Sequence, residues 1–507
     1  MRHVCLPLAL LVAVASLPAR AQAPDAGTPA MDASSPPTSG APAAETPPPP
    51  EKVPPGLFDQ GVGAFFAHNP REAAVSLFRY VQATASTDEN HAWAQYFLAR
   101  SLMELGLHHA GAVYLAKVAR ERSNPAVLPR ALEALQTLTD RPHDEVLVDE
   151  EVFAALDLGF LPDSVRDYAH LQQGLVDLRQ GNERWATLHF ATLEATSTEA
   201  ARARYAMLVT RLRDAKKEVP EELEADFLAL AQDTRLSQET RNDAAYAVAR
   251  LRYERGDFEK ALEAYEQVVL PELSPGRATL YLEEAWTRYR LGQLTAALGL
   301  LTTLDAPSFR DEFVPDKYLL RAFIYRDLCH YLPAKRAAKD LTRRFADSLE
   351  TIRQREDLTQ DLRLSRAAAS HGATKRAARF LASLEEESER LSRYAGSFGE
   401  RLFTHLARLY TLARSEATRV HQARLQAAVR AEADRLLRAS EQVRLMDYEV
   451  GLKLYERIKR GARLPPPPEE EALAPGHVAF RFDGEYWNDE LRNYRVSIKS
   501  RCVEDAP

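Results

Sequence analysis

The chain has few cysteines, sparse glycine and no long apolar stretch after its first residues. Of three cysteines in 507 residues, Cys5 lies near the start, leaving Cys329 and Cys502. These two are far apart and have no His or Cys neighbour at ligand spacing, so they do not make a metal site. No later segment approaches the roughly 20 apolar residues a spanning helix needs. The formal net charge is −7, which argues against the basic footprint of bulk nucleic-acid binding. Familiar catalytic motifs are missing too: no Gly-x-Ser-x-Gly elbow, no phosphate loop ending in Gly-Lys-Ser/Thr, no His-Glu-x-x-His. His108 and His109 are chain neighbours whose rings diverge on a helix, a poor metal pair. The expectation is a chain with no catalytic residues, no cofactor and no metal.

What is present begins with an address. Arg2 and His3 form a basic head, Leu6 to Leu17 an apolar run, and Ala19-Arg20-Ala21 the small-x-small pattern read by signal peptidase. Residues 1–21 are expected to be a signal peptide, with Gln22 the new N-terminus and a periplasmic or secreted product. Losing Arg2 and Arg20, with no acid, takes the net charge from −7 to −9. A membrane anchor is the alternative, but the run ends early at Pro18. Lipidation would need a cysteine just after the run, and Cys5 precedes it. Residues 22–55, rich in Pro, Ala, Ser and Thr, read as a disordered tether or a proline-rich docking ligand.

Residues 56–350 are rich in Ala, Leu, Glu and Arg, with apolar residues at three- and four-residue steps, and predict helices. One frame recurs: a small residue, a turn residue seven later, a small residue five after that, then large apolar residues four and three further on. The clearest copy is Ala249, Gly256, Ala261, Tyr265 and Val268. The frame returns at Gly174, Gly181, Ala186, Phe190 and Leu193; at Ala285, Gly292, Ala297, Leu301 and Leu304; and at Ala322, Cys329, Ala334, Ala338 and Leu341. Weaker copies are Ala99, Gly106, Gly111, Leu115 and Val118, and Gly61, His68, Ala73, Leu77 and Tyr80. Two helices that approach closely need small residues at the crossing, and a left-handed turn between them suits glycine. The segments Pro125 to Asp140 and Thr198 to Asp233 supply helices for degenerate copies, and a loop from Arg141 to Ser164 interrupts the array.

This frame resembles the tetratricopeptide repeat, most closely at Gly256-Asp257-Phe258-Glu259-Lys260-Ala261-Leu262-Glu263-Ala264-Tyr265. Copies 36 and 37 residues apart, from Ala249 to Ala285 to Ala322, sit near that family's period of about 34. The resemblance implies an all-α solenoid of antiparallel helix pairs whose first helices line a concave, partner-binding face. The matching positions are Tyr96, Arg100 and Met103; Leu171, Leu175 and Leu178; Tyr246, Arg250 and Tyr253; Leu282, Trp286 and Tyr289; and Leu319, Phe323 and Arg326. Aromatic residues and arginine are enriched at binding hot spots. The family's carboxylate clamp is absent, since Tyr246, Arg250, Leu282 and Trp286 stand at its positions. The expected ligand is an apolar peptide or helix of a protein partner. The alternative is that these residues pack inside the superhelix or against the chain's own C-terminal part.

From residue 351 to 465 the frame fades. Leu402, Leu406, Leu409, Ala413, Val420, Ala423 and Ala427 form one stripe, continued by Val443, Val450 and Leu454, and predict long helices, as a hairpin or a coiled-coil arm. Arg408, Arg414, Arg419, Arg424, Arg430, Arg435 and Arg438 suggest either a solvated face or contact with an acidic partner or lipid headgroups, hence peripheral membrane association. Residues 466–507 form an aromatic, acidic tail expected to cap an end of the solenoid. That tail, with Tyr318 to Ala334 carrying Cys329-His330-Tyr331, resembles the large repeat proteins of the myxobacterial gliding-motility envelope machinery. The resemblance implies a scaffold in a trans-envelope complex. It also motivates a Cys329–Cys502 disulfide pinning the tail to the array. The competing functional readings are an accessory subunit or enzyme in cell-wall polymer processing or export, and an outer-membrane assembly factor.

Overall fold

A computed structural model describes residues 54–154, 161–215, 221–459 and 484–502. The expected signal peptide, nearly all of the expected proline-rich tether and the first part of the C-terminal tail lie outside the described residues. The described chain is all-α and divides into two compact units, one formed by described residues 54–195 with 376–419, the other by 196–375 with the described residues from 420 onward.

In the first unit, α1 (Leu57–Phe66), α2 (Pro70–Ala83), α3 (His91–Glu104), α4 (His108–Glu121), α5 (Leu128–Gln136), α6 (Asp163–Arg179) and α7 (Glu183–Ala191) follow in chain order. In the second come α8 (Thr198–Asp214), α9 (Glu221–Ala231), α10 (Gln238–Arg255), α11 (Phe258–Glu266), α12 (Gly276–Arg290), α13 (Leu294–Thr303), α14 (Asp316–Asp327), α15 (Tyr331–Arg344), α16 (Ala346–Gln354) and α17 (Leu362–Ala369). Two further helices, α18 (Gly372–Ser392) and α19 (Ala395–Lys459), contribute residues to both units. Sequence-adjacent helices pair: α1 with α2, α3 with α4, α6 with α7, α10 with α11, α12 with α13 and α14 with α15. Each unit is therefore a stack of antiparallel pairs, in solenoid fashion.

The recurring frame explains the pairing. Its turn position is left-handed in every copy: φ is 54° at His68, 75° at Gly106, 80° at Gly181, 90° at Gly256, 74° at Gly292 and 59° at Cys329. A left-handed residue ends one helix and reverses the chain into the next. The small residues lie where the two helices cross: Ala99, Ala249, Ala261, Ala285, Ala297 and Ala322 are fully buried. At Gly174 a methyl group would collide with the ring of Phe190, the large residue of the same copy. Small residue and large residue thus fill one another's space across the pair.

The stretch between α5 and α6 is more ordered than a loop over its described residues. Val146–Glu151 form a π-helical turn, and Val148, Val152 and Phe153 are buried in the unit's core. The predicted helices of the two degenerate copies are present as α5, α8 and α9.

The C-terminal helices supply residues to each core. Leu402, Leu406, Tyr410 and Ala417 of α19 are buried in the first unit with Leu384 and Leu391 of α18. Val429, Ala433, Leu436 and Val443 are buried in the second unit with Trp286, Leu319 and Leu320. The predicted stripe is right at Leu402 and Leu406, but Ala423 and Ala427 are exposed. The helix keeps its own 3.6-residue period, so Tyr410, Ala417 and Ala428 turn inward instead. The packed length of α19 is thus no free arm.

The described part of the tail also departs from expectation. Residues 484–502 do not cap an end; they lie along α12, α13 and the turn after α14. Val496 N–H donates to the Thr295 carbonyl at 3.0 Å, and Arg501 N–H to the Leu328 carbonyl at 3.0 Å. His330 Nε2 donates to the Lys499 carbonyl at 2.7 Å, and Arg492 reaches the buried Glu284 at 3.0 Å. Leu491 and Ile498 are buried. Cys329 and Cys502 form a disulfide, with Cα atoms 5.1 Å apart.

Candidate protein interface

The residues expected to line a concave face fall into two environments. In the second unit they are engaged by the chain itself. Arg250 grips Glu283 with two parallel bonds, Nε to Oε2 at 3.1 Å and Nη2 to Oε1 at 2.7 Å, and Tyr265 donates to the same carboxylate at 2.9 Å. Burial opposes the charge on Arg250, but Glu283 outweighs it and holds the guanidinium more firmly protonated. The Arg250 guanidinium also covers the Tyr246 ring at 5.2 Å. Tyr253 lies beneath Arg290, at 5.9 Å from its guanidinium.

The next two pairs meet α19. Trp286, only 8% exposed, shares a core with Leu282, Leu319 and the α19 residues Val429, Leu436 and Val443. Phe323 packs against Ala322, Met446 and Val450 and against Trp286 and Tyr289 at 6.0 and 6.5 Å. Tyr289 donates to Asp327 at 2.7 Å. Arg326 pairs with Asp327 at 2.7 Å and with Glu449 of α19 at 3.4 Å. Arg435 of α19 bonds Asp316 at 2.8 Å, and Lys335 bonds Asp447 at 2.7 Å. This stretch already holds an amphipathic helix, the chain's own; a partner using it would have to displace α19.

The first unit differs. Tyr96 and Arg100 lie on α3, with the Arg100 guanidinium donating to the Tyr96 hydroxyl at 3.2 Å. Beside them is a run of rings that sequence reasoning missed. Trp93 stacks on Phe97 at 5.7 Å, Phe97 touches Tyr96 at 5.3 Å, and Phe65 and Phe66 of α1 approach Phe97 at 5.1 and 5.7 Å. Arg130 covers Trp93 at 5.6 Å. Phe66 is 67% exposed, and Trp93, Phe97 and Phe65 are half-buried. Among the described residues no carboxylate pairs with Arg100 or Arg130. The missed signal was local: Trp93, Tyr96, Phe97 and Arg100 stand at three- and four-residue steps on one helix face. Leu171 and Leu178 are buried, Leu175 and Met103 partly so.

Other polar groups serve the fold. Glu387 of α18 accepts from the His109 backbone N–H at 2.9 Å and from the Tyr410 hydroxyl at 2.6 Å; burial pushes its carboxyl up. The His109 ring, between Phe380 and Tyr410, is pushed down to about 4 by burial. Among the described residues no group of three or more His, Cys, Asp and Glu converges as a metal site would. A cleft of about 470 Å³ is lined by Arg71, Glu104, Leu105, Gly106, Arg390, Arg393 and Tyr394. Glu104 is the one carboxylate among these lining residues, beside three arginines.

Of the arginines on α19, Arg408, Arg414, Arg430 and Arg438 are exposed. Arg419 pairs with Glu416, Arg424 donates to the Ala373 carbonyl at 3.2 Å, and Arg435 serves the packing described above. No described helix is long and apolar enough to cross a membrane. Neither a protein-family model nor a curated protein sequence matches this chain.

Proposed function

We propose that this chain is an exported, non-catalytic scaffold of the cell envelope that holds partner proteins through paired-helix repeats of the tetratricopeptide kind. The observation that carries the reading is the aromatic patch of exposed Phe66 and half-buried Phe65, Trp93 and Phe97, backed by the buried Tyr96 and flanked by Arg100 and Arg130. Contiguous aromatic rings beside arginines that pair with no described carboxylate are the composition of an interface centre. Among the described residues Phe66 and the outer edges of Phe65, Trp93 and Phe97 stay accessible, which leaves that surface to another molecule. The signal-peptide pattern supports an envelope location, and the resemblance of the cysteine-bearing tail makes a gliding-motility complex the first assembly to examine.

The test is affinity capture from envelope fractions with the wild-type protein and with Trp93→Ala/Phe97→Ala, after circular dichroism confirms that the variant remains helical. Truncating hot-spot residues weakens binding by about 2 kcal/mol or more each. The variant is expected to lose specific partners that the wild type retains. An identical partner list from both proteins would remove the patch from the reading.

A further inference from the structure

The last turns of α19 carry a second surface that neither the solenoid packing nor the aromatic patch uses. One face of this segment is buried: Val443, Met446 and Val450 pack into the second unit. The opposite face is apolar and open. Leu445 is 71% exposed, Tyr448 68%, Leu452 46% and Tyr455 64%. These four stand at steps of three, four and three, the a and d positions of two heptads. Val450 then falls at f, directly behind the seam, so the face that holds the helix to its own unit and the open seam do not compete. Glu441 and Arg438 bound the seam before Leu445, and Lys459 takes the next a position after Tyr455.

The flanking charges choose an occupant and an orientation. Arg444 stands at g and Glu449 at the following e. In a parallel pair of helices the g residue of one chain meets the e residue of the next heptad of the other, which sets Arg444 against the partner copy's Glu449 twice by symmetry. Among the described residues Arg444 is exposed and has no partner, whereas Glu449 lies 48% exposed at the edge, bonded to Arg326 and Lys453. An antiparallel pair would instead oppose e to e, bringing Glu449 against Glu456. Like charges there disfavour that arrangement.

We infer that the chain forms a parallel, two-fold symmetric homodimer through residues 444–458 of α19. The helix is already formed and held by its own unit, so association does not have to fold it, and this removes much of the ordering that limits short coiled coils. Two heptads bury little area, in the class below about 1,200 Å² that associates reversibly. The dimer is therefore concentration-dependent, with half-association expected on the order of 10 µM.

The test is sedimentation velocity of the whole purified protein from about 1 to 100 µM, for wild type, Leu445→Glu/Leu452→Glu, Arg444→Glu and Arg444→Glu/Glu449→Arg. The wild type should shift from monomer to dimer across this range. The seam variant should stay monomeric, the single charge change should weaken dimerisation at least several-fold, and the charge swap should recover most of it. Tyr448→Cys, oxidised in a cysteine-trapping assay, should give a disulfide-linked dimer, because a d residue meets its own copy only in the parallel register. These substitutions lie on the exposed face, so circular dichroism should be close to wild type, and melting should fall only in the variant carrying Glu449→Arg, which gives up the Arg326 and Lys453 bonds. A wild type that stays monomeric at 100 µM, or a dimer indifferent to the seam and charge variants, would overturn the inference. A dimer that forms without Tyr448→Cys trapping would overturn the parallel register.

Discussion

Gly299 sits mid-way along α13, where the backbone of the C-terminal tail lies against it. A methyl group added there would overlap the Tyr494 carbonyl and come within 2.9 Å of the Arg495 nitrogen. Both are backbone atoms with no side-chain freedom to swing aside. Two effects then oppose each other in Gly299→Ala. Replacing glycine in a helix interior stabilises by about 1 kcal/mol. Forcing a methyl into packed backbone costs about 1–3 kcal/mol. The net is a loss of up to about 2 kcal/mol, concentrated in the tail. The displaced bonds should be Val496 N–H to Thr295 and Arg501 N–H to Leu328. Hydrogen exchange at these two amides should quicken by one to two orders of magnitude, while amides of α10 and α11 are unchanged. Gly396→Ala is the comparator, because nothing lies within 4 Å of a methyl there; it should stabilise by a few tenths to about 1 kcal/mol. If Gly299→Ala stabilised as much as Gly396→Ala and left Val496 protected, the tail would not pack on α13 as described.

Three further outcomes are expected. Arg250→Met takes away the bidentate partner of Glu283 and should destabilise by about 3 kcal/mol in urea unfolding, while Arg250→Met/Glu283→Gln should recover a large part of that loss. Burial pushes the His143 imidazole down, but the Asp149 hydrogen bond at 3.2 Å and its charge outweigh that and raise it to about 9. Its contribution is fully present below the unfolded value near 6.5 and is lost as pH rises through about 9, so the melting temperature should fall across that window in wild type and less in His143→Gln. Non-reducing peptide mapping should recover Cys329 and Cys502 in one linked peptide. Closing a loop of 173 residues bounds the bond's chain-entropy contribution at about 5 kcal/mol, so reduction should lower the melting temperature and speed exchange at Arg501.

What the sequence reveals here is what is local. A small residue, a left-handed turn and a second small residue lie within twelve positions, so the helix pairs can be read directly from Ala249, Gly256 and Ala261. The landing of α19 depends on partners far along the chain. Arg435 reads as one of several solvent arginines until Asp316, 119 residues away, is brought beside it. The stripe through Ala423 and Ala427 fails for the same reason, since alanine spacing alone does not choose between faces of a long helix. The lining residues Trp286, Phe323 and Arg326 were identifiable by position, but not that the chain's own helix meets them. The aromatic patch was half legible: Tyr96 and Arg100 follow from the repeat frame, whereas Phe65 and Phe66 join them only because α1 and α3 stand side by side.

The central claim is that the open aromatic patch of the first unit receives a partner protein. Site-specific photo-crosslinking in intact cells tests it most directly, with a photoreactive phenylalanine analogue at Phe66 and, as the control, at the exposed Leu412 on α19. A discrete adduct with another envelope protein from position 66, lost on adding Trp93→Ala and absent from position 412, is the predicted result. No adduct from position 66, or the same adducts from both positions, would contradict it.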